Sequence, residues 1–444
     1  MSRSKRKLIT FIGTGDYDEC IYTGADNFES KPTRFIQTAL FEMLRHEGEK
    51  IDEVYLFITK EAEEKNYFDN KTRKGGIPYK GLKNVWAEYF PEDVDKLKLV
   101  YISSNQGEED QWRLFEQVFD VVEKKDALYF DITHSFRSVP MIALLVANFA
   151  KTIHGASIER LLYGNFEVLR NLGDLDAVPV AERKAPIVDI TSMLKLLDWT
   201  TGVQSFLETG NPKQINQLTG DEVRKSGGDG QFVKIRDLSE TLYGFNAALE
   251  TSRGRIVHNI IPGLKENLKR AKEVSDEVMP QFSKLMSKIE SKVELYSDDK
   301  IENMWVTIKW CVDHGLYQQA ITLAREYIIS VVLIRLEEKS LLPETKNDKE
   351  LRDLRDEVSN LIQNILKPKK DFRFINEEKH RPIFEPVKQM VLSQEKSFNV
   401  FQRIVTYRNN MNHAEKAQEE IKYRTIQKNM PQIVESIKPI FFHH

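Results

Sequence analysis

Two short stretches concentrate side chains able to act on a phosphate. The first is Asp131-Ile132-Thr133-His134-Ser135-Phe136-Arg137-Ser138, with Pro140 two residues on. The apolar run from Ala127 to Ile132 predicts a strand, and Ser138 with Pro140 in the following turn predicts a helix N-terminus. Between them lie hydroxyls, an imidazole and a guanidinium. Such a collar suits an anion, because the unpaired N–H groups and the dipole of a helix start both favour negative charge. In the plainer reading Arg137 pairs with Asp131 and His134 packs in the turn.

The second stretch is Arg408-Asn409-Asn410-Met411-Asn412-His413. A guanidinium can neutralise a phosphate, and an imidazole can move its proton near neutral pH. The spacing alone carries little, since Arg253 to His258 and Arg373 to His380 satisfy it too. Gly254 interrupts the Arg253 segment, and the Arg373 segment is a charged loop. Helix geometry says more. Phe401, Ile404, Val405 and Met411 form an apolar stripe in which Arg408 and Asn412 fall. A guanidinium in such a stripe is costly unless paired or used. Arg408 and His413 lie about 140° apart around an ideal helix, so one straight helix does not bring both to one atom, whereas two facing copies would.

The elements that must position these residues divide the chain. Strands are predicted at Leu8–Ile12, Val54–Ile58, Leu97–Ile102, Ala127–Ile132 and Arg160–Tyr163. Helices over Thr33–Arg45, Trp112–Val122 and Met141–Lys151 alternate with them, which predicts a mostly parallel sheet covered on both faces. Such sheets bind ligands at the carboxyl ends of their strands. Two more loops fall there: Gly13-Thr14-Gly15-Asp16, where glycines allow close approach to a phosphate, and Ser103-Ser104-Asn105 after the third strand. The glycine loop lacks the third glycine of a dinucleotide fingerprint, and Ile58 is followed by Thr59-Lys60 rather than an acid. From about Ile187 strand signals cease. Helices are predicted over Leu238–Ile261, stopped by Pro262-Gly263; over Met304–Leu336 as a pair joined at Gly315; and from Ser397, as N-cap, to about Lys416. Ser226 to Gly230 is a loop, and Lys367-Pro368-Lys369-Lys370 a basic connector.

The collar, together with a Gly-Thr-Gly first loop and the Gly107-Glu108-Glu109 to Trp112 segment, resembles the ligand-sensing CARF domain of CRISPR-associated Rossmann-fold proteins. Arg408-Asn409 with His413 resembles the Arg-x4-6-His signature of HEPN ribonucleases. The stretch from Trp305 through Gly315-Leu316-Tyr317-Gln318-Gln319-Ala320 to Arg325-Glu326 resembles the helical part of CARF–HEPN proteins. The resemblance implies an α/β Rossmann-like sensor at 1–180, a helical connection at 181–299 and an all-α HEPN effector at 300–444. It implies a homodimer that binds a cyclic oligoadenylate, most commonly the tetra-adenylate, and then cuts single-stranded RNA without a metal or other cofactor. The RNA 2′-hydroxyl would attack the adjacent phosphate, leaving 2′,3′-cyclic phosphate and 5′-hydroxyl ends. His413 would be the general acid or base, Arg408 would hold the phosphate, and Asn409 would orient the His or bind a phosphate oxygen. Gly13 to Asp16, Ser103 to Asn105 and Thr133 to Ser138 would hold the activator, and Thr14, Ser104 and Ser135 are candidates for slowly cutting it. Lys367, Lys369, Lys370 and Arg373 could guide RNA. The competing expectation is a ligand-responsive regulator whose helical half binds DNA or a protein without catalysis.

Composition bounds these readings. The 444 residues carry 65 Lys and Arg against 68 Asp and Glu, a formal net charge of −3, so nucleic-acid contact must come from local patches. No apolar stretch approaches the ~18 residues of a membrane span, and no secretory leader follows the basic Met1–Lys7 start. Two distant cysteines, Cys20 and Cys311, argue against a disulfide framework or a cysteine zinc site and fit a reducing cytoplasm.

Overall fold

The computed structural model describes residues 4–69, 79–105, 107–134, 138–225, 227, 230–278, 280–412 and 421–442. Two compact units divide the chain at Lys195/Leu196. The first contains strands β1 (Arg6–Ile12), β2 (Ile21–Thr23), β3 (Glu53–Ile58), β4 (Leu97–Tyr101), β5 (Ala127–Asp131), β6 (Ser157–Gly164) and β7 (Lys184–Asp189). They form one seven-stranded sheet in the order β2-β7-β6-β5-β1-β3-β4. Every pairing is parallel except β6 with β7. The five predicted strands are present. The two unpredicted ones are a three-residue strand and one interrupted by Pro186, and β7 carries the sheet past residue 180.

Both faces of the sheet are covered, and alternation along β1 shows how. Leu8 and Ile12 join the layer of α1 (Ile36–His46), through Ile36, Leu40 and Leu44. Ile9 and Phe11 join the opposite layer, with Val118 of α4 (Glu108–Asp120) and Val146 and Ala150 of α5 (Val139–His154). Two short helical pieces, α2 (Lys60–Ala62) and α3 (Leu82–Tyr89), complete this unit. The chain runs β1, β3, β4 toward one edge and returns to β5 and β6 on the other side of β1. The crevice beyond the carboxyl ends of β1 and β5 is therefore the topological switch point.

The second unit is helical among its described residues. Its elements are α6 (Thr191–Thr209, which begins just before the division), α7 (Lys213–Lys225), α8 (Gly230–Glu250), α9 (Gly254–Val278), α10 (Pro280–Val293), α11 (Lys300–Asp313), α12 (Tyr317–Glu338) and α13 (Asp348–Leu366). After these come α14 (Glu377–His380), α15 (Phe384–Ser393), α16 (Glu395–Phe398), α17 (Phe401–Asn412) and α18 (Tyr423–Phe442). One core runs from Trp199 to Phe441, across the 299/300 boundary suggested by the sequence. At its centre α12 buries Ala320, Ile321, Ala324, Ile328, Val332 and Leu336. The Trp305 indole N–H donates to the Val434 carbonyl at 3.0 Å, tying α11 to α18. Among the described residues no helix is long and apolar enough to cross a membrane.

Three helix boundaries differ from expectation. Leu238–Ile261 is not continuous: α8 ends at Glu250, Ser252 has φ +54°, and α9 starts at Gly254. Pro262 does not stop α9 but lies inside it, because the apolar face of Val257, Ile261, Leu264 and Leu268 packs into the core and holds the helix. Ser397 is not an N-cap: it sits inside α16, with its N–H donating to the Gln394 carbonyl at 2.9 Å, and a new helix starts at Phe401.

Candidate functional site

The strand ends build the first site. A cavity of about 410 Å³ opens at the switch point. Gly13, Thr14 and Gly15 after β1, Ser104 after β4, and Thr133 and His134 after β5 all line it. The three loops singled out by sequence thus meet. Tyr17, Thr59 and Glu61 line it as well and were not expected. Thr59 and Glu61 follow β3, so the rule that ligands sit at carboxyl strand ends, applied to every strand, would have found them.

Each loop is held by its own hydrogen bonds. The Asn66 side-chain amide donates to the Gly13 carbonyl at 2.8 Å and the Gly15 carbonyl at 3.0 Å. The Gly13 N–H donates to the Tyr17 hydroxyl at 2.9 Å. A Cβ on Gly15 would stand 2.9 Å from the Tyr17 ring, so this position is glycine because Tyr17 packs on it. The loop after β5 hangs on Asp131, which is fully buried. Its carboxylate accepts from the Thr10 hydroxyl at 2.5 Å, the Thr133 N–H at 2.9 Å and the Thr133 hydroxyl at 2.6 Å. Burial pushes the Asp131 pKa up, against the opposing pull of these three donors. The Thr133 hydroxyl also accepts the Gly164 N–H at 2.8 Å, so it is committed on both sides.

His134 is the least committed group. Its ring stacks on Tyr17, with centroids 4.1 Å apart. Nε2 is buried without a hydrogen-bond partner among the described residues. The residue as a whole is only half-buried, but its ring nitrogen is shielded, and burial lowers its pKa to about 4. The imidazole is therefore neutral at pH 7 and has a polar atom to spare.

The remaining predicted contacts lie elsewhere. Asp16 pairs with Lys65 at 3.5 Å, and Ser103 Oγ accepts the Asn105 N–H at 3.1 Å. Neither these residues nor Ser138 lines the cavity. Ser138 occupies the N-cap position of α5 with Pro140 in the first turn, as expected, but its hydroxyl makes no capping bond and is buried without a partner among the described residues. Ser135, Phe136 and Arg137 lie outside the described residues. Among the described lining residues Glu61 is the one charged group, so the cationic part of the expected collar rests on Arg137.

The second site lies on α17, which packs on α12. Phe401, Ile404 and Tyr407 are its buried residues. Val405 and Met411 are half-buried, and Asn412 is exposed rather than inside the stripe. Arg408 is half-buried; Nη1 donates to Asn409 Oδ1 at 3.3 Å, while Nε is buried without a partner. Asn412 accepts from the Gln318 amide at 3.2 Å, and the Asn429 amide donates to the Tyr407 hydroxyl at 2.8 Å. The helix carrying Arg408 is thus anchored to both α12 and α18. His413 lies outside the described residues. The other two Arg/His pairs are also placed. His258 lies on α9, which starts at Gly254 after the break at 251–253, and His380 is buried against Glu357 at 3.2 Å, not in a charged loop.

Residues 195–297 match the family described as "CRISPR-associated protein MJ1674, second domain". The chain is 22% identical over 350 residues to the CRISPR-associated protein MJ1674 of Methanocaldococcus jannaschii, covering 70% of this chain and 51% of the relative. Together these matches support a CRISPR-associated protein. The chain spans about half the length of this curated relative, and the matched family segment runs from α6 to the end of α10 and the turn after it.

Proposed function

We propose that this CRISPR-associated chain is a cyclic-oligoadenylate-activated RNA endonuclease acting as a homodimer. The observation that carries the reading is the convergence of the β1, β4 and β5 loops on one cavity at the switch point. Thr14 and Ser104 offer hydroxyls, His134 a neutral imidazole, Glu61 an acceptor for ribose or amino hydrogens, and Tyr17 a flat face for a base. Arg137 would supply charge to the phosphates.

The helix that follows this loop supports pairing of two copies. Along α5 Met141, Leu145, Phe149 and Ile153 are spaced by four and are 63%, 55%, 43% and 51% exposed. The opposite side of the same helix is in the core through Ile142, Val146 and Ala150, so α5 carries apolar residues on both its buried and its exposed side. An exposed ridge of that kind marks an interaction surface. Because α5 begins where the ligand loop ends, a ligand that bound the two dimer arrangements unequally would shift their populations.

In the helical unit Arg408 would hold the scissile phosphate and offset the charge that builds as the 2′-hydroxyl attacks. His413 would take the hydroxyl proton or return one to the leaving 5′-oxygen. The bond formed is 2′-O–P, the bond broken is P–O5′, and the proton passes between the two oxygens through the imidazole, so no further reactant is needed. The test is an RNA cleavage assay with a panel of cyclic oligoadenylates, beside Arg408→Ala and His413→Ala. We expect cleavage with one ring size and loss of it in both variants, with activator affinity kept. Cleavage that persists in both variants, or that ignores every ring, refutes the reading.

A further inference from the structure

The helical unit holds a second built cavity, of about 390 Å³, between α9, α11, α12 and α13. That is within the ~300–1,000 Å³ usual for small-molecule sites. We propose that it binds a nucleoside monophosphate. This inference is independent of the function proposed above.

Two buried polar atoms face no partner there. Tyr296 is 1% exposed, yet its hydroxyl has no hydrogen bond of acceptable geometry. The nearby Thr307 hydroxyl donates to the Asn303 carbonyl at 2.7 Å, so it has only lone pairs to offer and the Tyr296 oxygen is left without a donor. His258 Nδ1 is likewise buried and unpartnered. Both residues line the cavity. Interior polar atoms are normally satisfied, and each orphan is costly, so two in one cavity point to a ligand that completes them.

Charge and shape narrow the ligand. The N-terminus of α9 opens on the cavity, with Gly254 and Arg255 in its wall. A Cβ on Gly254 would lie 2.2 Å from the Tyr327 hydroxyl, so only glycine lets the helix start this close to the opposite wall. Lys300 adds a second cation at the rim. A third lining cation, Arg355, is spent on Glu326 at 2.9 Å, and Glu337 is the lining acid. Two uncommitted cations beside a helix N-terminus favour a phosphate. Burial and the neighbouring Lys300 hold the His258 pKa below its ordinary value, so the ring is a neutral hydrogen-bonding group. The far wall is apolar, with Met304, Leu333 and Leu354. A phosphate at the α9 end, a base against the apolar wall and ribose or base edges on Tyr296 and His258 satisfy every one of these features.

The test is isothermal titration of the full chain with AMP as probe and adenosine as control. We expect AMP to bind and adenosine to bind at least about tenfold more weakly, the loss expected for removing charge-assisted contacts. Arg255→Ala with Lys300→Ala, both at exposed positions, should weaken AMP by a similar factor without moving the unfolding temperature. Leu354→Trp should abolish binding by filling the cavity. Absence of AMP binding at millimolar concentration, equal binding of adenosine, or indifference to these variants overturns the proposal. So does loss of AMP binding confined to Gly15→Leu, which would place the probe in the cavity of the sheet.

Discussion

His134 should make the stability of the sheet unit depend on pH, and His134→Phe should remove that dependence while keeping a flat ring against Tyr17. Burial takes the imidazole from its ordinary 6.5 to about 4 in the folded chain. Between these values the unfolded chain binds more protons than the folded one, so stability is full above pH 6.5 and falls as pH drops toward 4. At pH 5 the unfolded form is favoured by a factor of roughly 30, which is about 2 kcal/mol, and near pH 4 by about 3 kcal/mol. For a unit ending at Lys195, 2 kcal/mol is about 4–8 °C in unfolding temperature.

The assay is calorimetry of both proteins from pH 7.5 to pH 5, read as the difference between them. Burial also lowers the pKa of His258 and His314, but both remain in the variant and cancel in that difference. We expect the wild type to lose about 4–8 °C relative to His134→Phe over this range. A difference that does not change with pH shows that Nε2 is not shielded as described. A bound anion near Nε2 would raise the folded-state pKa, so saturating activator should flatten the wild-type curve as well.

Two further outcomes follow from buried contacts and exposed ones. Asp131→Ala leaves the Thr10 hydroxyl and the Thr133 N–H without their acceptor, and should cost about 2–4 kcal/mol in urea denaturation. Asp131→Asn keeps an acceptor for Thr133 and lets the Thr10 hydroxyl turn round; since burial raises the Asp131 pKa, the carboxylate becomes a folded-state penalty as pH rises, and Asn should gain on wild type from pH 4 to pH 8. Equal losses for Ala and Asn would remove the account of that loop. Met141→Glu with Leu145→Glu places two charges on the exposed ridge of α5 and should convert a dimer to monomer by light scattering, with activator-dependent cleavage lost; an unchanged mass shows that pairing does not use α5.

How much of this was legible in the sequence depends on burial. The central strands are runs of apolar residues because both faces are covered, and a run such as Val54–Ile58 announces itself. Strand β2 has three residues and β7 carries Pro186, so neither offers a period long enough to detect. In the helical unit Gly315, with φ +73°, marks its turn, as expected. The break at 251–253 rests on a serine in the left-handed region, which no composition rule singles out. The Pro262 expectation failed for the complementary reason: an amphipathic face with a deep core under it holds a helix through one missing N–H.

The candidate site shows the same division at the level of single residues. The glycines of the first loop suggested a phosphate approaching bare backbone, yet Gly13 gives its N–H to Tyr17, and Gly15 is small to admit that ring. Tyr17 in turn lies on His134, so the loops after β1 and β5 are coupled through one aromatic stack. A base entering the cavity must therefore stack on this pair or separate it. Separation would release the Gly13 N–H and expose His134 Nε2 together, turning two spent or hidden groups into phosphate ligands at once. Under the function proposed above, the lining beside Glu61 is a resting arrangement in which the Gly13 N–H is spent on Tyr17 and His134 Nε2 is hidden behind the stack until a ligand competes for that place.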